Sequence, residues 1–342
     1  MSEQKKTKDF LPAILHRTDG TLRKVGLEIE FAGMELEEAA RIIQACYGGE
    51  IIKKHRYQFD IVDTRWGDFE VELDARILKK MAVNNSSRKA GMDTDEQKLM
   101  ESVEDLVDKV AKTFIPLEII MPPVAIEELE KLERLRNALQ RHKAEGTKVS
   151  WVNAFGLHIN IESPDLKVRT LLNYLRSFLL IYPWLLDRLE VDFSRRISPF
   201  IDPFPNAYIE MVLNVDYYPD SERFTEDYLE LNSTRNRPLD MMPILATLHN
   251  ETVTAAMEGE KNKPRPAFHY RLPNSRIDDP EWSFLEEWRY WLIVESLAND
   301  EEMIRRLSKL YLMRKDKILV SFNKEWAETI SILLDLDEKS EA

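Results

Sequence analysis

The chain has 342 residues, 44% of them hydrophobic, enough to bury a sizeable core in one large domain or two small ones. Its formal net charge of -13 argues against a nucleic-acid partner, whose phosphates would repel it. Cys46 is the only cysteine, so an intrachain disulfide is excluded and a reducing, cytoplasmic setting is expected.

The opening residues, MSEQKKTKDF, carry no apolar signal-peptide core, and residues 1–20 read as a flexible polar tail. VGLEIEF (25–31) then reads as a strand. Strand side chains alternate between faces, so Leu27, Ile29 and Phe31 share one side while Glu28 and Glu30 share the other. LEEAARIIQACYGG predicts a helix with Ala39, Ile42, Ile43 and Cys46 on its apolar face and Gly48-Gly49 at its end. Cys46 there reads as a small buried hydrophobe. IIKKH, YQFDIVDT and FEVELDA predict three strands, the last two joined by a turn at 65–68. NNSSRKAGMDTDE (84–96) is the most loop-like stretch, a flap or a plain excursion. A helix over EQKLMESVEDLVDKVAK follows. FIPLEIIMPPV predicts a buried strand stopped by Pro122-Pro123, and IEELEKLERLRNALQRHKAEG an amphipathic helix.

FGLHINIES predicts another alternating strand. The most apolar stretch, LLNYLRSFLLIYPWLL, contains Arg176 and Pro183 and falls short of a ~20-residue membrane span, so it reads as part of a helix from Leu166 to about Glu190. Prolines from 199 to 205 mark an ordered connector. RPAFHYRLP is a late strand, and the residues from Trp282 onward are helical. Trp282, Trp288 and Trp291 have the spacing of core packing, and His16, His55, His142 and His249 lie in no motif and suit the surface or helix caps. Strands with polar faces, interspersed with helices without a βαβ rhythm, predict an α+β fold around a mainly antiparallel sheet, with a helical C-terminal half. No GxGxxG or GxxxxGK phosphate loop is present.

The chemistry concentrates on the polar strand faces. FEVELDA aligns Glu70, Glu72 and Asp74; GLHINIE aligns His158 and Asn160; AFHYRLP aligns His269 and Arg271; PLEIIMPP sets Glu118 in an apolar run. A solvated sheet surface gives the same alternation, but it favours Thr, Lys, Arg and Ser, whereas the first two strands offer only carboxylates. Carboxylates brought together need a counter-charge, and Mg2+ or Mn2+ supplies one. Glu28, Glu30, Glu72, Glu118 and His158 therefore make a candidate cage for two ions. Arg235 and Arg237 in LNSTRNRPLDMMP, with Arg265 and Arg271 beside His269, form a second, cationic group whose forks suit phosphate. The bland reading pairs each of them with a surface acid. Metal-holding acids with arginines awaiting phosphate point to metal-assisted phosphoryl chemistry.

In this order, GLEIEF, FEVELD, PLEIIMPP, GLHINI, STRNRPLDMMP and RPAFHYRLP resemble the amidoligases, carboxylate–amine ligases related to glutamine synthetase and γ-glutamylcysteine synthetase. The resemblance runs from about Val25 to Leu297. It implies a sheet whose concave face holds the metals, a catalytic domain over 21–300 and a helical extension over 301–342. It implies an ATP- and Mg2+- (or Mn2+-) dependent ligase making an amide through an acyl phosphate from small-molecule or peptide acids and amines, without membrane or nucleic acid. Glu28, Glu30, Glu72 and Glu118 would hold the ions, and His158 would ligate metal or touch the γ-phosphate. Arg235, Arg237 and Arg271, with Arg265, would meet the ATP phosphates, and Asp240 could bind or deprotonate the amine. Asp240 as an N-cap or an arginine partner is the structural alternative. Two departures stand out: Asn160 occupies the place of a second histidine, and His269 that of a metal-binding glutamate, which makes one site mixed or doubtful. A metal-dependent amide hydrolase and a non-catalytic acidic cleft for a cationic ligand stay open as alternatives. The oligomeric state is not legible.

Overall fold

The alternating segments pair into one sheet. The structure, a computed structural model, describes residues 10–73, 116–146, 155–191, 201–257, 263–315 and 322–336. The expected N-terminal tail up to residue 9, Asp74, the 84–96 loop and the helix after it lie outside these residues.

The strands are β1 (Lys24–Phe31), β2 (Glu50–His55), β3 (Gln58–Thr64), β4 (Gly67–Leu73), β5 (Leu117–Ile120), β6 (Val124–Ala125), β7 (Leu157–Glu162), β8 (Leu239–Asp240) and β9 (Ala267–Tyr270). Their order is β2-β3-β4-β5-β1-β7-β9-β8, with β6 added beside β1, and every strand pairing is antiparallel. The expected α+β architecture with a mainly antiparallel sheet is therefore present. Gly48 and Gly49 both take positive φ after the first helix, α1 (Leu36–Tyr47), a conformation glycine adopts without strain.

One sheet face is apolar and covered over its central strands, while the edge strand β2 stays largely exposed. Leu27, Ile29, Phe31, Ile119, Leu157, Ile159, Phe268 and Tyr270 are all buried. Three helices supply the cover: α1, α3 (Val168–Arg188) and α8 (Phe284–Ala298). Tyr47 of α1 stacks on Phe69 with ring centroids 5.3 Å apart, and Tyr174 of α3 stacks on Phe268 at 4.8 Å. Trp291 of α8 meets Phe268 at 5.6 Å. Trp282, Trp288 and Trp291 are fully buried, so their core role holds, and each indole N–H reaches an acceptor: Glu287, the Phe10 carbonyl and Glu295. Cys46 is buried as expected.

Three expectations change. The helix expected over 126–146 splits into a 3-10 helix, Ile126–Leu132, and α2 (Glu133–Arg141), and ends at Arg141. The helical stretch from Trp282 becomes three helices, α8, α9 (Glu301–Lys315) and α10 (Phe322–Leu334). The stretch between the proline connector and RPAFHYRLP, left without elements by the pattern, folds into α4 (Asn206–Leu213), α5 (Ser221–Leu231), β8, α6 (Met242–Leu248) and α7 (Asn250–Ala256). No helix among the described residues is long and apolar enough to cross a membrane.

Candidate active site

Antiparallel register sets the polar face in three rows, because directly paired residues point to the same side. Glu72, Glu118 and Glu30 pair in sequence across β4, β5 and β1. Glu28 pairs with His158 of β7. Gly26, Asn160, His269 and Asp240 form the third row across β1, β7, β9 and β8. All six positions expected to ligate metal, Glu28, Glu30, Glu72, Glu118, His158 and His269, thus share one face. Two-residue β8 was missed in the sequence, yet it carries Asp240 to the cluster's edge.

Side-chain geometry draws two overlapping triads from this face. Ligand atoms of Glu28, His158 and His269 lie within 4.8 Å of one another, as do those of Glu30, Glu118 and His158. Glu72 stands in the row of Glu118 but outside both triads. His158 Nδ1 lies 3.3 Å from Glu28 Oε2 and 3.9 Å from Glu118 Oε1, and its Nε2 lies 3.7 Å from Glu30 Oε1. The Gly156 N–H donates to Glu30 Oε2 at 2.7 Å and fixes that carboxylate. Buried acids and imidazoles gathered this closely form a donor set suited to a divalent ion.

Asn160 joins the two sides. Its Nδ2 donates to Glu28 Oε1 at 2.8 Å, while its Oδ1 accepts from Arg265 Nη2 at 2.7 Å and lies 2.6 Å from His269 Nδ1. An amide oxygen cannot donate, so this shorter contact is a hydrogen bond only with the proton on His269 Nδ1, the tautomer that leaves the lone pair on Nε2. The sequence reading assigned Asn160 no role. The available signal was its position, two residues past His158 and on the same face.

Burial governs the titration of this cluster. It pushes the His158 imidazole below its ordinary value, with Arg271 adding to the effect against the hydrogen bond His158 makes to Glu28. It pushes His269 lower still. Both rings are therefore neutral at pH 7, the form that ligates metal. For Glu28 burial opposes ionisation, but the charges of His269 and His158 as they protonate at low pH, the His158 hydrogen bond and Arg265 outweigh it and hold the carboxyl well below the usual range.

The arginines border this set unequally. Arg265 Nη2 is 3.5 Å from Glu28 Oε1 and 3.1 Å from His269 Nδ1. Arg271 lies two residues past His269, is buried, and donates from Nη1 to the Arg235 carbonyl at 3.1 Å. Arg235 Nε meets Asp240 Oδ2 at 3.2 Å, and Asp240 also accepts from the Met242 N–H at 2.9 Å. Burial raises the Asp240 pKa, opposed by Arg235 and Arg271. Arg237 faces elsewhere: its terminal nitrogens donate to the carbonyls of Asp202, Pro203 and Leu231, and its guanidinium lies over the Phe204 ring. Among the other histidines, His16, His55 and His142 are exposed, and His249 contacts Ser221 Oγ at 3.1 Å.

An antiparallel sheet with one face sealed by helices and the other gathering acids, imidazoles and guanidinium groups defines a candidate metal-dependent enzyme. The family model described as "putative amidoligase enzyme" matches residues 21–293, and the chain belongs to that family. No curated protein and no solved structure matches it.

Proposed function

We propose that the chain is an ATP-dependent carboxylate–amine ligase that joins an acid to an amine through an acyl phosphate. The observation that carries this reading is the division of one sheet face. Glu28, Glu30, Glu118, His158 and His269 gather on one side, and Arg235, Arg265 and Arg271 border them on the other. Family membership supports a ligase-type enzyme. In this reading the polar face is a concave, glutamine synthetase-like surface, the catalytic unit spans 21–300, and 301–342 extend it.

A divalent ion, Mg2+ or Mn2+, would supply charge neutralisation at the phosphate oxygens, and Glu28, Glu30, Glu118, His158 and His269 would hold it, with Glu72 in the row outside them. The donor set fits such an ion, since its oxygens are carboxylates and its imidazoles are neutral. Arg265 and Arg271 face the transferring phosphoryl group and offset its charge. Arg237 would reach a phosphate only with donors that do not already hold backbone carbonyls. The substrate carboxylate takes the γ-phosphoryl group and ADP leaves; the amine then adds to the acyl carbon and phosphate departs. Asp240, held beside the row by Arg235, accepts the proton that the amine loses.

Purified full-length chain with Mg-ATP should release ADP and phosphate only when an acid and an amine are both supplied. Glu28→Gln and Glu30→Gln should abolish turnover while circular dichroism stays unchanged, and full activity in both variants refutes the assignment. The hydrolase reading has one observation in its favour: Arg237 is tied to carbonyls, which thins the phosphate-facing set. Amide cleavage without nucleotide would select it.

A further inference from the structure

A neutral imidazole has one lone pair, yet both triads need the His158 ring. Carboxylates stand at both of its nitrogens, Glu28 at Nδ1 and Glu30 at Nε2. Whichever nitrogen ligates an ion, the other donates its proton to the opposite carboxylate. One triad therefore holds an imidazole-ligated ion, and the other supplies its supporting shell.

The two triads differ in softness. Glu30, Glu118 and His158 offer two carboxylates and one imidazole; Glu28, His158 and His269 offer one carboxylate and two imidazoles. The second set is also pre-oriented. The Asn160 amide bonds Glu28 at 2.8 Å and His269 Nδ1 at 2.6 Å, so one side chain aims two ligands. His158 and His269 are almost fully buried and their rings lie 5.1 Å apart. Mg2+ demands an oxygen octahedron and gains little from imidazole, whereas Fe2+, Co2+ and Zn2+ gain from it and Mn2+ tolerates it.

We infer that Glu28, His158 and His269 form a seat for one borderline transition ion per chain, selective against Mg2+ and oriented by Asn160. This rests on the metal half of the ligase reading and narrows its Mg2+ or Mn2+ to a transition ion.

Chelator-stripped full-length chain is titrated with Co2+, followed by visible absorption, and with Mn2+, followed by the electron paramagnetic resonance of the free ion. One equivalent should bind, and a hundredfold excess of Mg2+ should not displace it. His269→Glu should lower the ratio of Mn2+ to Mg2+ affinity by at least about tenfold, and Asn160→Ala should weaken Mn2+ binding by roughly 10–100-fold. Mg2+ displacing Mn2+ at equal concentration overturns the inference, as does an unchanged ratio in folded His269→Glu. Should that variant not fold, the wild-type competition decides alone. Selective binding without acid- and amine-dependent ADP release sinks the ligase reading only, while turnover on a chain that holds Mg2+ as tightly as Mn2+ sinks the selectivity only.

Discussion

At the scale of single residues, the polar face is an argument about protons. His158 and His269 are kept neutral by burial, so their folded values lie below the ordinary 6.5. The unfolded chain then binds more protons than the folded chain in the window just below pH 6.5. Stability from these two groups is complete above that value and is lost as the pH falls through the window. Glu28, held below its ordinary 4.5, adds a loss of the same sign further down. Asp240 runs the other way just above pH 3.8, because burial raises its folded value. The metal-free chain should therefore show a thermal midpoint that drops as pH is lowered from 6.5, with a shallower drop in His269→Gln. A midpoint flat from pH 7 to pH 5 would contradict the buried neutral rings.

At the scale of elements, the chain's ties are ionic as well as apolar. Arg23, at the entry to β1, is fully buried and pairs with Glu295 of α8 through Nη2–Oε1 at 2.6 Å and Nη1–Oε2 at 3.0 Å. It also donates to the carbonyls of Ile14 and Glu162, which locks the N-terminal segment, β7 and α8 together. Removing one partner strands a buried charge. Arg23→Ala should cost about 3–5 kcal/mol in denaturant unfolding, and Arg23→Met with Glu295→Gln, which keeps an acceptor for the Trp291 indole, should recover part of it. Equal losses in the single and the double variant would show that packing, and not charge, fixes the joint. The strands that carry the site were legible because their alternation marks both a sealed face and a polar one: VGLEIEF, FEVEL, LEII, GLHINI and AFHY all form strands as read. β8 was not, because two residues after Pro238 hold no period; its place comes from pairing with β9. The short helices between 206 and 256 give too few turns for an apolar stripe to repeat. Which residues meet across strands was not legible either, so Asn160 as the bridge between Glu28 and His269 emerges only from register.

At the scale of the whole molecule, the sheet divides charge. Glu28, Glu30, Glu72 and Glu118 converge on one half of a face in a chain that already carries a net charge of -13. The guanidinium groups near them cluster toward the other half, and Arg265 reaches Glu28. Folding without an ion therefore brings like charges together across neighbouring strands, a cost that binding a cation removes. An ion that binds the folded chain alone stabilises it by RT ln(1 + [L]/Kd), about 2.7 kcal/mol at a hundredfold excess over Kd. That should raise the thermal midpoint by roughly 5 °C in a chain of this size, and EDTA should return it to the metal-free value. His158→Ala belongs to both triads and should erase the shift, whereas substituting Glu72, which belongs to neither, should leave most of it. Monovalent salt should raise the metal-free midpoint by screening the acids and scarcely move the loaded one. If the metal produced the same shift in His158→Ala as in the native chain, the ions would be binding elsewhere on the acidic surface, and the convergence of the four glutamates would have no energetic consequence.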